Sequence, residues 1–248
     1  QKLSQLLPSV VEEEYIRYLQ PIDADSFTSN GHAVSFKSEN IVDGWKHIHR
    51  RFWYHPMHQL SPYLGRFPPA IARYFIYKFS RKGQVVYDPF CGSGTVPLEA
   101  CLLEREAVGN DIFVYAYTLS RAKVNALKRD EFDAFIHFLK SEVKACIERI
   151  NLDEELLLQD LLVYYHPDTL QQILAVRFVL NEVDHDDQKA DAATFIKAMV
   201  CGILHGPTPM SLSVQTKDTW SASVRYVREY VAVHGLKYEP RDIFTCLE

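Results

Sequence analysis

The chain has 248 residues, 47% of them hydrophobic, and a formal net charge of -5. That apolar content supports one sizeable core and excludes a disordered chain, while the acidic balance excludes a protein that coats nucleic acid non-specifically and confines any such contact to a local basic patch. No apolar run approaches the roughly 20 residues of a membrane-spanning helix, and no basic stretch leads into an apolar signal core, so a cytoplasmic protein with no membrane partner is expected.

The first residue is Gln1 rather than methionine, so the ends need not be natural ends. Apolar positions from Leu3 to Leu19 recur at near-helical spacing and predict an amphipathic helix broken around Pro8. Asp23 to Asn40 is polar with an Asn30-Gly31 turn signal and predicts a loop or short hairpin. Residues 1–45 are read as an N-terminal extension.

From Trp45 to His55 the run WKHIHRRFWYH interleaves bases with aromatics. Lys46, Arg50 and Arg51 there are candidates for phosphate contacts, with Trp45, Phe52 or Trp53 stacking. The competing reading is a helix whose aromatics are core and whose bases are solvated. A Pro-rich bend, Ser61 to Pro69, precedes a helix predicted over Ala70 to Phe79, and Gln84 to Tyr87 reads as a strand.

The octet Asp88-Pro89-Phe90-Cys91-Gly92-Ser93-Gly94-Thr95 then opens a helix from about Val96 to Glu104, with Pro97 in its first turn, where a missing N–H costs little. A second strand, Ala107 to Asn110, ends at Asp111. Strand, glycine loop, helix, strand and acid make a βαβ unit whose right-handed crossover sets the loop at the carboxyl edge of a parallel sheet, where ligands bind. Further helices are predicted at about Val114 to Lys128, Glu131 to Ile150, Pro167 to Asn181 and Ala192 to Leu204, with an acidic connector, Glu182 to Asp187, between the last two.

Gly92 and Gly94 let the backbone approach a ligand without Cβ interference, which suits a nucleotide-like cofactor. Asp88 at the strand end can accept from an ammonium group, and Asp111 can accept from both hydroxyls of a ribose; one carboxylate for each end of the molecule fits S-adenosylmethionine. A dinucleotide would want GxGxxG and no acid beside its pyrophosphate. A Walker loop would want a lysine after the last glycine, where Thr95-Val96 stands.

The remaining polar residues read as structural. Cys91, Cys101, Cys146, Cys201 and Cys246 form no CxxC pair and suggest reduced thiols and no zinc site. Cys91 is not preceded by proline, as a cytosine-attacking thiol would be. His166, His205 and His234 are scattered, and Asp184, Asp186 and Asp187 lack the glycine and terminal glutamate of a calcium loop.

DPFCGSGT between a strand and a helix, followed by an acid-ended strand, resembles motif I of the amino-group DNA methyltransferases. The approach SPYLGRFPPAIARYFI, Ser61 to Ile76, resembles motif X of the same enzymes. The stretches His166 to Arg177 and Thr219 to Glu248 are also similar to segments of a subgroup. The resemblance implies that Tyr63, Gly65, Arg66, Phe67 and Pro68 line the cofactor site, that Asp88, Phe90, Gly92 and Gly94 hold the methionine moiety, and that Pro89, Cys91 and Thr95 also belong to the cofactor site. It implies that Asp111 with Ile112 holds ribose and adenine. It implies an α/β fold, a Rossmann-like three-layer sandwich around a mostly parallel sheet with additional N-terminal and central helices, over a cofactor-binding domain at 46–248.

Methyl transfer to an exocyclic amine also needs an Asp, Asn or Ser followed by Pro-Pro and an aromatic residue, to hold the amine and stack a flipped base. The Pro68-Pro69 pair lies between Phe67 and Ala70, and Ser61-Pro62-Tyr63 lacks a second proline. The catalytic residues are therefore expected outside the 248 residues, in further sequence or on a second polypeptide. Implied is S-adenosylmethionine-dependent methylation of adenine or cytosine in DNA, in restriction-modification or phage defence. A non-catalytic cofactor-binding subunit and an RNA methyltransferase are the alternatives.

Overall fold

The computed structural model describes residues 55–150, 152, 156–183, 189–206, 209–216 and 223–247. The predicted N-terminal helix, the loop at 23–40, all of the basic-aromatic run but His55, and most of the acidic connector lie outside these residues. The chain divides into two compact units, one containing 65–112 with the turn before it, the other 60–64 with 113–248.

In the first unit a 3-10 turn, Pro56–Gln59, precedes helix α1, Pro69–Phe79. Pro69 at the first helical position has its φ already set and no N–H to satisfy. The helix stops at Ser80, whose backbone N–H and hydroxyl both donate to Ile76 O, at 3.1 and 2.5 Å. Strand β1, Val85–Asp88, follows, then α2, Thr95–Leu102, and β2, Glu106–Gly109. β1 and β2 run parallel, in a register that pairs Val85 with Glu106 and Asp88 with Gly109. Both strands sit within a residue of the expected Gln84 to Tyr87 and Ala107 to Asn110.

Ala72 and Ile76 of α1 and Ala100 of α2 make a small core on which Val86, Val96, Leu103 and Ala107 pack. Strand side chains alternate between faces, so Val85 and Tyr87 of β1 and Val108 of β2 lie on the other face and are exposed. Arg105 ties the unit together: buried, it donates from Nε to Ser80 Oγ at 3.0 Å, from Nη2 to Ser80 O at 2.8 Å and from Nη1 to Leu103 O.

The second unit is helical: α3, Val114–Val124; α4, Arg129–Cys146; α5, Leu156–Leu161; α6, Pro167–Glu182; α7, Ala190–Ile203; α8, Val224–His234; α9, Ile243–Leu247. α4 buries Phe132, Phe135, Ile136, Leu139, Val143 and Cys146, a 3.6-residue period, and packs on α6. α3 packs on α7, Leu119 of the first and Ile196 of the second being fully buried, and α9 closes against α6 and α7. His166 caps α6, its Nδ1 accepting from Asp168 N at 3.2 Å, which gives it a structural role.

Helices α5, α8 and α9 are additions to the elements expected from sequence. α8 runs from the Ser223 cap, which accepts from Tyr226 N, to Gly235 with φ of 60°, the usual start and stop signals. Among the described residues the sheet has two strands and the other regular elements are helices. This is an α/β arrangement; the further strands of a three-layer sandwich are not among them. No described helix is long and apolar enough to cross a membrane.

Because Leu119 has no solvent exposure, Leu119→Ala is expected to lower unfolding free energy by about 2–5 kcal/mol, read from the midpoint of a urea titration.

Candidate functional site

The carboxyl ends of β1 and β2 meet where the glycine loop begins. Asn110 N donates to Asp88 O at 3.0 Å, continuing the strand pairing one step, and Asn110 O accepts from Cys91 N at 2.9 Å. The Asn110 side chain donates to Pro89 O at 3.2 Å. The Asp88 carboxylate accepts from Phe90 N at 3.1 Å, and the Asp111 carboxylate accepts from Gly92 N at 2.8 Å. The two acids that the sequence singles out thus each hold one amide of the same loop.

Gly92 and Gly94 have φ of 49° and 77°, in the left-handed region that favours glycine. Gly94 is the N-cap of α2; its N–H donates to Cys91 O at 2.8 Å and its carbonyl accepts from Leu98 N at 3.1 Å. Cys91 and Thr95 are buried, Gly92 half-buried, and Pro89 exposed. Phe90, in the loop, is 85% exposed and Ile112, next after Asp111, is 99% exposed, so two apolar side chains here are presented to solvent.

Gly109 opposes Cys91. A Cβ on Gly109 would lie 3.1 Å from Cys91 Sγ, 3.3 Å from Cys91 Cβ and 3.2 Å from Pro97 Cγ, inside normal contact distance. A side chain at the strand end would therefore push Cys91 or Pro97 aside by a few tenths of an ångström, a closeness that no local pattern around this glycine announces.

The motif X residues fall in both units. Ser61 to Leu64 belong to the second unit, where Tyr115 organises them: Ser61 Oγ donates to Tyr115 Oη at 2.7 Å, Tyr115 donates to Pro62 O at 2.6 Å, and the Tyr63 and Tyr115 rings stack with centroids 6.0 Å apart. Gly65 to Pro68 belong to the first unit. Gly65 takes φ of 74°, Arg66 donates from Nη1 to His58 O at 2.5 Å, and Phe67 and Pro68 are exposed. Lys46, Arg50 and Arg51 lie outside the described residues.

Sequence reasoning also passed over a buried ionic cluster behind the loop. Glu99 of α2 accepts from His58 Nε2 at 2.8 Å and from Arg73 Nη1 at 3.1 Å, and all three side chains are buried. The available signal was one charged residue in the otherwise apolar helix TVPLEACL. Burial holds the neighbouring His55 below the ordinary imidazole range, helped by His58 and Arg73 and opposed by Glu99.

All five cysteines are free thiols, and burial pushes Cys101, Cys201 and Cys246 upward, away from thiolate. His205 bonds Ser213 Oγ through Nδ1 at 2.7 Å and sits edge-on to Tyr164, an interior structural role. Among the described residues no group of three or more His, Cys, Asp or Glu gathers as a metal site.

Two family models match the chain: a DNA methylase family of the N6 and N4 amino type over residues 17–121, and the D12 class N6 adenine-specific DNA methyltransferases over residues 70–195. Both cover the loop, β2 and Asp111. Among curated proteins the chain is similar to a Type II methyltransferase, M.MjaII, of Methanocaldococcus jannaschii, at 24% identity over 98 residues. That match takes in 40% of this chain and 18% of the relative, so the chain spans under a fifth of the curated protein it matches. No solved structure matches significantly.

Gly109→Ala is expected to cost about 1–3 kcal/mol by overpacking, and Cys91→Ala in the same chain should recover part of it. A double-mutant cycle in urea measures that coupling.

Proposed function

The chain belongs to the amino-group DNA methyltransferase family, matching its D12 class model over just over half its length, and from this we propose that residues 46–248 form the cofactor-binding part of an S-adenosylmethionine-dependent enzyme that methylates the exocyclic amine of adenine or cytosine in DNA. The observation that carries this reading is the loop edge, where two carboxylates, two left-handed glycines and two exposed apolar side chains converge on one end of a parallel strand pair.

The donor set fits the cofactor. A carboxylate offers about four lone-pair sites, so Asp111 can hold the loop through Gly92 and still receive ribose hydroxyls. Asp88 suits the cofactor's ammonium group, with Phe90, Gly92 and Gly94 around the methionine moiety. Ile112 offers an apolar surface to adenine, and Tyr63, Gly65, Arg66, Phe67 and Pro68, with Pro89, Cys91 and Thr95, complete the set. S-adenosylmethionine supplies a methyl group on a sulfonium, already activated for direct displacement. The chain's residues bind and orient it, and alignment with the incoming amine accounts for much of the rate.

The acceptors for that amine, and the ring that stacks the flipped base, reside in polypeptide outside these residues, in further sequence or a partner chain. The bare face of the strand pair, with Val85, Tyr87 and Val108 exposed, supports this, because parallel sheets bury both faces. Helices laid on that face, with further strands paired at the edges, would complete the three-layer sandwich. The D12 class match favours adenine. Lys46, Arg50 and Arg51 are candidates for DNA phosphate contacts, and a cytoplasmic restriction-modification or defence role fits such an enzyme. The alternative reading, a cofactor-binding subunit without chemistry of its own, is favoured by the absence of a Pro-Pro-aromatic motif from the 248 residues.

Calorimetry should show S-adenosylmethionine binding to the chain, with Asp111→Ala weakening it at least tenfold. No binding by the unaltered chain overturns the reading. With the completing polypeptide present, label from a methyl-labelled cofactor should appear in DNA as N6-methyladenine; label in RNA instead would move the substrate class.

A further inference from the structure

The buried ionic cluster is linked to the residues assigned to the cofactor through the Arg66 bond to His58 O, and it joins the two segments of the first unit that carry them. Arg66 of the Pro-rich approach donates to His58 O, His58 Nε2 donates to Glu99 Oε1, and Glu99 stands in the helix that the glycine loop opens. Arg73 of α1 meets the second oxygen of the same carboxylate. The exposure of these side chains is 0% for His58, 3% for Glu99 and 8% for Arg73. A carboxylate removed from water this completely is held only if it is paired and hydrogen-bonded, and removing one partner leaves an uncompensated buried charge. The two oxygens of Glu99 therefore fix where α2 stands relative to the turn at 56–59 and to α1, and with α2 they fix the amides of the loop at its start.

We propose that Glu99, gripped by His58 and Arg73, is a positioning residue for the cofactor loop: it sets the loop and the Arg66 segment in register before any ligand arrives. A well-packed apolar trio would supply cohesion without this directional control. The short side chain of aspartate would not span both partners. The consequence for cofactor affinity rests on the function proposed above; the consequence for loop order does not.

The experiment measures hydrogen exchange at the Cys91, Gly92 and Gly94 amides and S-adenosylmethionine affinity in the full chain, for Glu99→Gln, His58→Leu and His58→Gln, with Leu119→Ala as a control for general destabilisation. Glu99→Gln and His58→Leu are expected to speed loop exchange at least tenfold while amides of α3 and α7 keep their wild-type rates, and to weaken cofactor binding by a similar factor. His58→Gln, which keeps a donor near the Nε2 position, should restore most of the loop protection, and Leu119→Ala should not loosen the loop selectively. Unchanged loop exchange in folded Glu99→Gln and His58→Leu chains overturns the proposal. Global unfolding of both also overturns it, because the cluster would then be a general core element. If the unaltered chain binds no S-adenosylmethionine but its loop responds as expected, the functional reading fails and the positioning role stands.

Discussion

Parallel pairing of two four-residue strands is the constraint on which the first unit depends. Strands that run the same way cannot be joined by a tight hairpin and need a crossover, and here the crossover is the glycine loop with α2. The register that sets Asp88 opposite Gly109 brings the end of one strand beside the end of the other, so Asn110 bridges backbone to backbone and Asp111 arrives at the loop it restrains. Acids 23 positions apart in sequence thereby come to act on neighbouring amides. The same pairing packs Val86 and Ala107 on the covered face, giving α1 and α2 a floor.

Much of this was legible in the sequence because the relevant signals are local. A left-handed loop needs glycine, a strand needs alternation, and Pro69, Pro97 and Pro167 are tolerated only near helix starts, so the loop, both strands and helices α1 to α4, α6 and α7 fall close to where the residue pattern puts them. The Ser223 and Gly235 signals for α8 are equally local, and Val224, Val227 and Val231 recur at helical spacing, so this helix was legible as well, although it stands outside the expected elements. The long-range pairings were the illegible part. Nothing near Tyr115 announces that its hydroxyl serves Ser61 and Pro62, and nothing near Glu99 names His58 and Arg73 as its partners. Such links join residues 26 to 54 positions apart, and a one-dimensional pattern carries no record of them.

The division of the SPYLGRFPP approach between two units follows from the same physics. Tyr115 competes for the first part through two hydrogen bonds and a ring stack, while His58 holds the second part through Arg66. Gly65, at the boundary, has nothing within 4 Å of where its Cβ would be, so its left-handed φ rather than crowding calls for glycine. A segment that reads as one motif is anchored at its two ends by different chemistry, hydroxyl and ring on one side, guanidinium on the other.

Gly109 and Cys91 show how closely the strand end and the loop are fitted. At Gly109 even a Cβ would crowd Cys91 and Pro97, so a larger residue there needs a smaller one at 91 or a shift of its neighbours by a few tenths of an ångström. A change at residue 109 is therefore most readily accommodated by a compensating change at residue 91. Among descendants of such a sequence, residue 91 and residue 109 should be inherited as a pair, and a substitution arriving alone at either would find the loop's hydrogen bonds to Asn110 and Asp111 opposing it.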